Sequence, residues 1–117
     1  MRIAFLTLGC KLNYAETSTY ERGFTANGLE VVPWEEQADV YLINTCSVTE
    51  RAEKKCRNVI RKMHRTSPGA RIIVTGCYAE LRRNDLLAID GVSLVFGAKE
   101  KSRVVPDTME LLLNVSG

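Results

Sequence analysis

The sequence predicts an α/β domain with one five-stranded parallel sheet, flavodoxin-like in its strand order 2-1-3-4-5, and helices on both faces. Two observations carry the prediction. Short β-like runs alternate with helical stretches five times along 117 residues, and strict alternation packs as a parallel sheet with right-handed crossovers. The β-like runs are short and mainly apolar, with apolar centres such as Tyr41-Leu42-Ile43, as strands covered on both faces are. Among the common doubly wound orders, 2-1-3-4-5 is the five-stranded one, and it makes strands one, three and four direct neighbours. No repeat, low-complexity stretch or linker divides the chain, so residues 1–117 read as a single domain.

Each element has its own signal. Residues 3–8 form an apolar run closed by Gly9. Asn13-x-x-Glu16 resembles a capping box that opens a helix, and Asn27-Gly28 stops it. Residues 29–32 make a short second strand ended by Pro33, and residues 40–44 a third centred on Tyr41-Leu42-Ile43. Ser47-x-x-Glu50 caps the next helix, which runs to Thr66 before Pro68-Gly69. Residues 71–75 are rich in β-branched side chains and form strand four. One helix spans roughly residues 78–88, strand five covers 92–96, and a last helix covers 104–114.

Composition excludes several classes. The net charge of +2 is too near neutral for the whole domain to act as an electrostatic nucleic-acid binder. No apolar run reaches the roughly 20 residues of a membrane span, so no membrane partner is expected. The opening apolar stretch is shorter than a signal-peptide core, and a cytoplasmic location is expected. In a reducing compartment the four cysteines are thiols or metal ligands rather than disulfides.

Three cysteines share one structural position. Cys10 follows Leu8-Gly9, Cys46 follows Asn44-Thr45, and Cys77 follows Thr75-Gly76, each just past the carboxyl end of a strand. Neighbouring strands lie about 4.8 Å apart, so three adjacent strand ends fit within roughly 10 Å. Ligands of such sheets bind outside those ends. Gly9 and Gly76 remove side chains there and leave room for a bulky group against the backbone. Cys56 differs, because it sits on the helical stripe Ala52, Cys56, Val59, Ile60 and Met63 and reads as a core thiol. Zinc prefers four ligands in close pairs, and the lone His64 lies on the polar side of a charged helix as a surface residue. Three separated thiolates suit a cubane iron–sulfur cluster with one iron free of protein ligands.

A second chemistry shares one of these cysteines. Cys77 to Arg83 matches Cys-x5-Arg, the spacing of cysteine phosphatases and arsenate reductases, in which a low-pKa thiolate attacks an oxyanion held by backbone amides. The intervening residues argue against it, because they contain no glycine and Glu80 would repel the anion. A non-enzymatic α/β interaction domain with inert cysteines is the third reading. Between residues 51 and 65 lie seven basic residues, Arg51, Lys54, Lys55, Arg57, Arg61, Lys62 and Arg65, against Glu53 alone. Such a run is ordinarily a solvated helix face. Its functional reading is a phosphate-contacting patch for RNA, extended by Arg82 and Arg83. No aromatic platform accompanies it, so it is expected to be an accessory surface.

Taken together, Thr7-Leu8-Gly9-Cys10-Lys11-Leu12-Asn13-x-x-Glu16, Asn44-Thr45-Cys46-Ser47-Val48-Thr49 and Val74-Thr75-Gly76-Cys77-Tyr78-Ala79 resemble the amino-terminal domain of radical-SAM methylthiotransferases. The first and third motifs look most like those of bacterial members that modify N6-threonylcarbamoyladenosine in tRNA. Members acting on isopentenyladenosine or on a ribosomal protein are the alternatives. The resemblance implies that Cys10, Cys46 and Cys77 bind an auxiliary 4Fe-4S cluster whose open iron carries the sulfur or methylthio group. It also implies a radical-SAM barrel with a second 4Fe-4S cluster and S-adenosylmethionine, and an RNA-binding tail. The family's Cys-x-x-x-Cys-x-x-Cys motif is not in this sequence. On that resemblance the chain is one domain of a longer enzyme with a tRNA partner, and alone it catalyses nothing.

Overall fold

The computed structural model describes residues 1–8, 11–45 and 49–115. Its elements follow the chain as β1 (Arg2–Leu8), α1 (Lys11–Ala26), β2 (Glu30–Val32), β3 (Val40–Thr45), α2 (Glu50–Thr66), β4 (Arg71–Gly76), α3 (Cys77–Leu81), α4 (Arg83–Leu87) and β5 (Val92–Phe96). A 3-10 turn (Ala98–Arg103) then leads into α5 (Val104–Val115). All five strands are parallel, in the order β2-β1-β3-β4-β5. The flavodoxin-like expectation is therefore met, and β1, β3 and β4 are direct neighbours.

The sheet separates two apolar layers. On one face Cys56, Ile60 and Met63 of α2, with Tyr78, Ala79 and Leu86, pack on Ala4, Tyr41, Ile43, Ile72 and Val74. On the other, Tyr20 and Phe24 of α1 and Val104 and Leu112 of α5 pack on Ile3, Val40, Leu42 and Ile73. Central strand β3 feeds both layers, and every one of its residues is buried. Each of its large side chains contributes about 1.5–3 kcal/mol by leaving water. No described helix is long and apolar enough to cross a membrane.

Several boundaries differ from the sequence expectation, for local reasons. Helix α1 begins at Lys11, so Asn13 lies inside it and its side chain is not a cap. It bonds instead to Asn44 and to the Thr45 carbonyl. The other end behaves as expected: Leu29 N–H reaches the Phe24 carbonyl and Gly28 N–H the Thr25 carbonyl, with Gly28 at a φ of 89°. That is the glycine-terminated helix end, in which a left-handed residue satisfies the last carbonyls. The cap of α2 is Thr49, whose hydroxyl accepts from Ala52 N–H at 3.2 Å, two residues after the expected Ser47; Ser47 itself lies outside the described residues. The helix expected over 78–88 is two short helices that meet at Arg82, where φ is −120° and ψ is 35°.

Candidate metal centre

The strand register builds the carboxyl end of the sheet. Leu8 is the partner of Thr45, and Thr45 is the partner of Gly76, so β1, β3 and β4 end level with one another. In sequence, Cys46 and Cys77 are the next residues after Thr45 and Gly76, and Cys10 is the second after Leu8. Cys10 and Cys46 lie outside the described residues, as does Gly9. Cys77 is described: it opens α3 and is solvent-exposed.

Gly76 is what delivers Cys77 to that position. Its φ of 113° and ψ of −170° belong to a region open essentially to glycine alone. A Cβ there would lie 1.9 Å from the Thr45 carbonyl oxygen and 2.8 Å from the Thr45 hydroxyl. The space beside Gly76 is thus filled by the neighbouring strand, which corrects the expectation that this glycine leaves room for a bulky group. The Thr45 hydroxyl in turn donates to the Thr75 carbonyl at 2.9 Å and ties β3 to β4.

A buried polar network, unseen in the sequence, anchors α1 to the same end. Asn13 Nδ2 donates to Asn44 Oδ1 at 3.0 Å and to the Thr45 carbonyl at 3.1 Å. Asn44 Nδ2 returns bonds to the Asn13 carbonyl at 3.1 Å and the Thr17 hydroxyl at 3.3 Å. Thr17 and Thr7 share a 2.8 Å hydroxyl contact. A network satisfied this fully rigidifies its surroundings, because each unpaired member would be costly. The signal was present in Asn44, a polar residue in an otherwise apolar central strand.

Charge at this end is supplied by Lys101 of the 3-10 turn, which is ion-paired with Glu16 of α1. The hydrogen bond it donates to Glu16 holds the Lys101 ammonium above its ordinary pKa. Burial likewise raises the Tyr20 hydroxyl above its ordinary pKa. The turn is fixed by Glu100, which accepts from Gly97 N–H at 2.9 Å and pairs with Arg83. The Gly97 bond and Arg83 together hold its carboxyl below the usual range.

The remaining candidates separate cleanly. Cys56 is buried in the core, and burial pushes its thiol up to about 12, so it is a packing residue as expected. His64 is half-buried rather than on the surface. Its Nδ1 is sealed from solvent without a hydrogen-bond partner, and a Cβ on Gly91 would meet it at 2.7 Å. The Cys-x5-Arg reading loses its arginine, since Arg83 pairs with Glu100 and the residues after Cys77 form helix α3 instead of an anion-cradling loop. Among the described residues, no group of three His, Cys, Asp or Glu side chains comes together to hold a metal ion. What the donor chemistry offers at this end is thiols: one exposed cysteine in place and two more in the segments that follow level strand ends. That set fits an iron–sulfur cluster.

Residues 2–97 match the family described as "Uncharacterized protein family UPF0004", and the chain belongs to that family. Its relatives include the threonylcarbamoyladenosine tRNA methylthiotransferase MtaB of Bacillus subtilis, 44% identical over 88% of this chain and 23% of the relative. MtaB of Aquifex aeolicus is 39% identical over 96% of this chain and 27% of the relative. The ribosomal protein uS12 methylthiotransferase RimO of Chloroflexus aurantiacus is 28% identical over 89% and 23% respectively. The chain spans about a quarter of the length of these curated relatives.

Proposed function

We propose that this chain is the auxiliary-cluster domain of a tRNA methylthiotransferase acting on N6-threonylcarbamoyladenosine next to the anticodon. Cys10, Cys46 and Cys77 would hold a 4Fe-4S cluster at the carboxyl end of the sheet. The observation that carries the reading is the register: three strands end level, and a cysteine follows each within two residues. The substrate assignment leans on identity, which is 44% and 39% to two threonylcarbamoyladenosine enzymes and 28% to a ribosomal-protein enzyme.

When bound, such a cluster supplies an iron with no protein ligand, where a sulfur species can attach. The chain's own residues do the rest. Gly76 and the Thr45 carbonyl fix where Cys77 starts its helix. The Asn13–Asn44 pair ties α1, which follows Cys10 in the sequence, to β3, which precedes Cys46. The radical-SAM barrel, its own cluster, S-adenosylmethionine and the grip on tRNA belong to the remainder of the enzyme, and this domain alone would be inactive.

The test uses the full-length enzyme that contains this chain, incubated anaerobically with S-adenosylmethionine and tRNA bearing N6-threonylcarbamoyladenosine. Mass spectrometry of the digested nucleosides should show the methylthio product with the wild type and with Cys56→Ala, and none with Cys10→Ala, Cys46→Ala or Cys77→Ala. Modification of an isopentenyladenosine tRNA or of ribosomal protein uS12 in its place would overturn the substrate assignment.

A further inference from the structure

Helix α2 concentrates charge that the rest of the chain lacks. It carries seven basic side chains against Glu50 and Glu53, in a molecule whose net charge is +2, so the remainder is net acidic. Its buried stripe, Cys56, Ile60 and Met63, faces the sheet. The 3.6-residue period therefore turns Arg51, Lys54, Arg61, Lys62 and Arg65 to the opposite side, and all of them are exposed.

This arrangement works against the helix. Arg51 and Lys55, Arg57 and Arg61, and Arg61 and Arg65 are like charges four residues apart, an arrangement that destabilises a helix. Among the described residues, no carboxylate lies within 4 Å of Arg51, Lys54, Lys55, Arg61 or Lys62. Glu53, the one acid inside the basic run, is engaged by Arg82 from outside the helix.

An aromatic side chain joins the patch, contrary to the sequence expectation. Trp34, from the loop after β2, is half-buried beside α2, with Lys62 Nζ 5.4 Å from its ring centroid. Trp34, Arg51, Lys54, Lys55, Asn58 and Lys62 line an open groove of about 440 Å³. The direction of α2 adds a second fact. The helix begins with Glu50 at the carboxyl end of the sheet, four residues after Cys46 in the sequence, and runs back along the sheet. Its basic face is a track that leads to the cysteine end.

We propose that the outer face of α2, together with Trp34, binds single-stranded RNA, with lysines and arginines on successive phosphates and the indole as a stacking surface. Phosphate contacts of this kind position a strand without reading its sequence, and aromatic stacking tolerates any base. The inference rests on the proposal that the substrate is an RNA. Its test uses the cluster-free chain, so a negative outcome leaves the cysteine assignment standing, and loss of the cluster leaves this surface measurable.

The probe is a fluorescein-labelled 12-nucleotide single-stranded RNA titrated at several KCl concentrations and followed by anisotropy. Trp34 is the only tryptophan, so its emission reports the groove directly. Binding should quench that emission. In Lys54→Gln/Lys55→Gln/Lys62→Gln the slope of log affinity against log salt should fall by about 2, at roughly 0.7 per single-strand phosphate contact. Arg22→Gln/Lys99→Gln, two exposed charges outside α2, should bind as the wild type does. Circular dichroism confirms that each variant is folded. No binding by the wild type, an unchanged slope in the triple variant, or unaltered Trp34 emission at saturation would overturn the proposal. So would tighter association with phosphatidylserine vesicles than with RNA, which would make the face a membrane contact.

Discussion

Replacing Gly76 with alanine tests how the strand ends are built. The residue holds a φ of 113° and a ψ of −170°, which costs a side-chain-bearing residue on the order of 1–3 kcal/mol. The added Cβ would also stand 1.9 Å from the Thr45 carbonyl oxygen. That oxygen cannot swing away, because Thr45 is paired with Leu8 on one side and with Gly76 on the other. Separating β3 from β4 there breaks the buried Thr45–Thr75 hydrogen bond, a further loss of about 1–3 kcal/mol. Together these give about 4 kcal/mol. Gly28→Ala is the control, since Gly28 also has a positive φ but nothing within 4 Å of a new Cβ. It should cost about 1–2 kcal/mol. Urea unfolding followed by far-ultraviolet circular dichroism measures both. If Gly76→Ala falls within about 1 kcal/mol of Gly28→Ala, the close approach of β3 to Gly76 does not exist as described and the argument fails.

Two further predictions concern buried groups. The Cys56 thiol is raised to about 12 by burial from an ordinary value of 9.0. Below pH 9 both folded and unfolded states keep the proton; between 9 and 12 the unfolded state gives it up first, so stability falls with rising pH. Cys56→Val should flatten that alkaline decline, and an equally steep decline in the variant would remove Cys56 as a cause. Asn44→Ala deletes three buried hydrogen bonds and should cost about 3 kcal/mol by chemical denaturation. Asn44 is 1% exposed, so a loss below about 1 kcal/mol would mean that the network is not closed in solution.

The sheet order was legible because five apolar runs and their intervening helices leave few right-handed arrangements. The strand ends were legible too, since Gly-Cys and Thr-Cys fall where the apolar runs stop. Features that depend on two distant segments were not. Asn13 followed three residues later by Glu16 carries a capping pattern, and only the placement of Asn44 beside it shows that its amide is used across the sheet. Ser47 and Thr49 offer equivalent hydroxyls between which a local pattern does not choose, and it is Thr49 that caps α2. Gly76 reads as empty space in one dimension, whereas in three the Thr45 carbonyl fills it. Trp34 stands more than fifteen residues before the basic helix it joins, and no local pattern connects the two.

The central claim is that Cys10, Cys46 and Cys77 hold a cluster and Cys56 does not. Anaerobic reconstitution of this chain with ferrous iron and sulfide, followed by iron and sulfide analysis and the visible absorption spectrum, measures it most directly. The wild type and Cys56→Ala should take up about four irons per chain, as a 4Fe-4S cluster requires, with a broad iron–sulfur band. Each of Cys10→Ala, Cys46→Ala and Cys77→Ala should lose most of it. A folded wild type that binds no iron, or a cluster that survives in all three variants, would contradict the account.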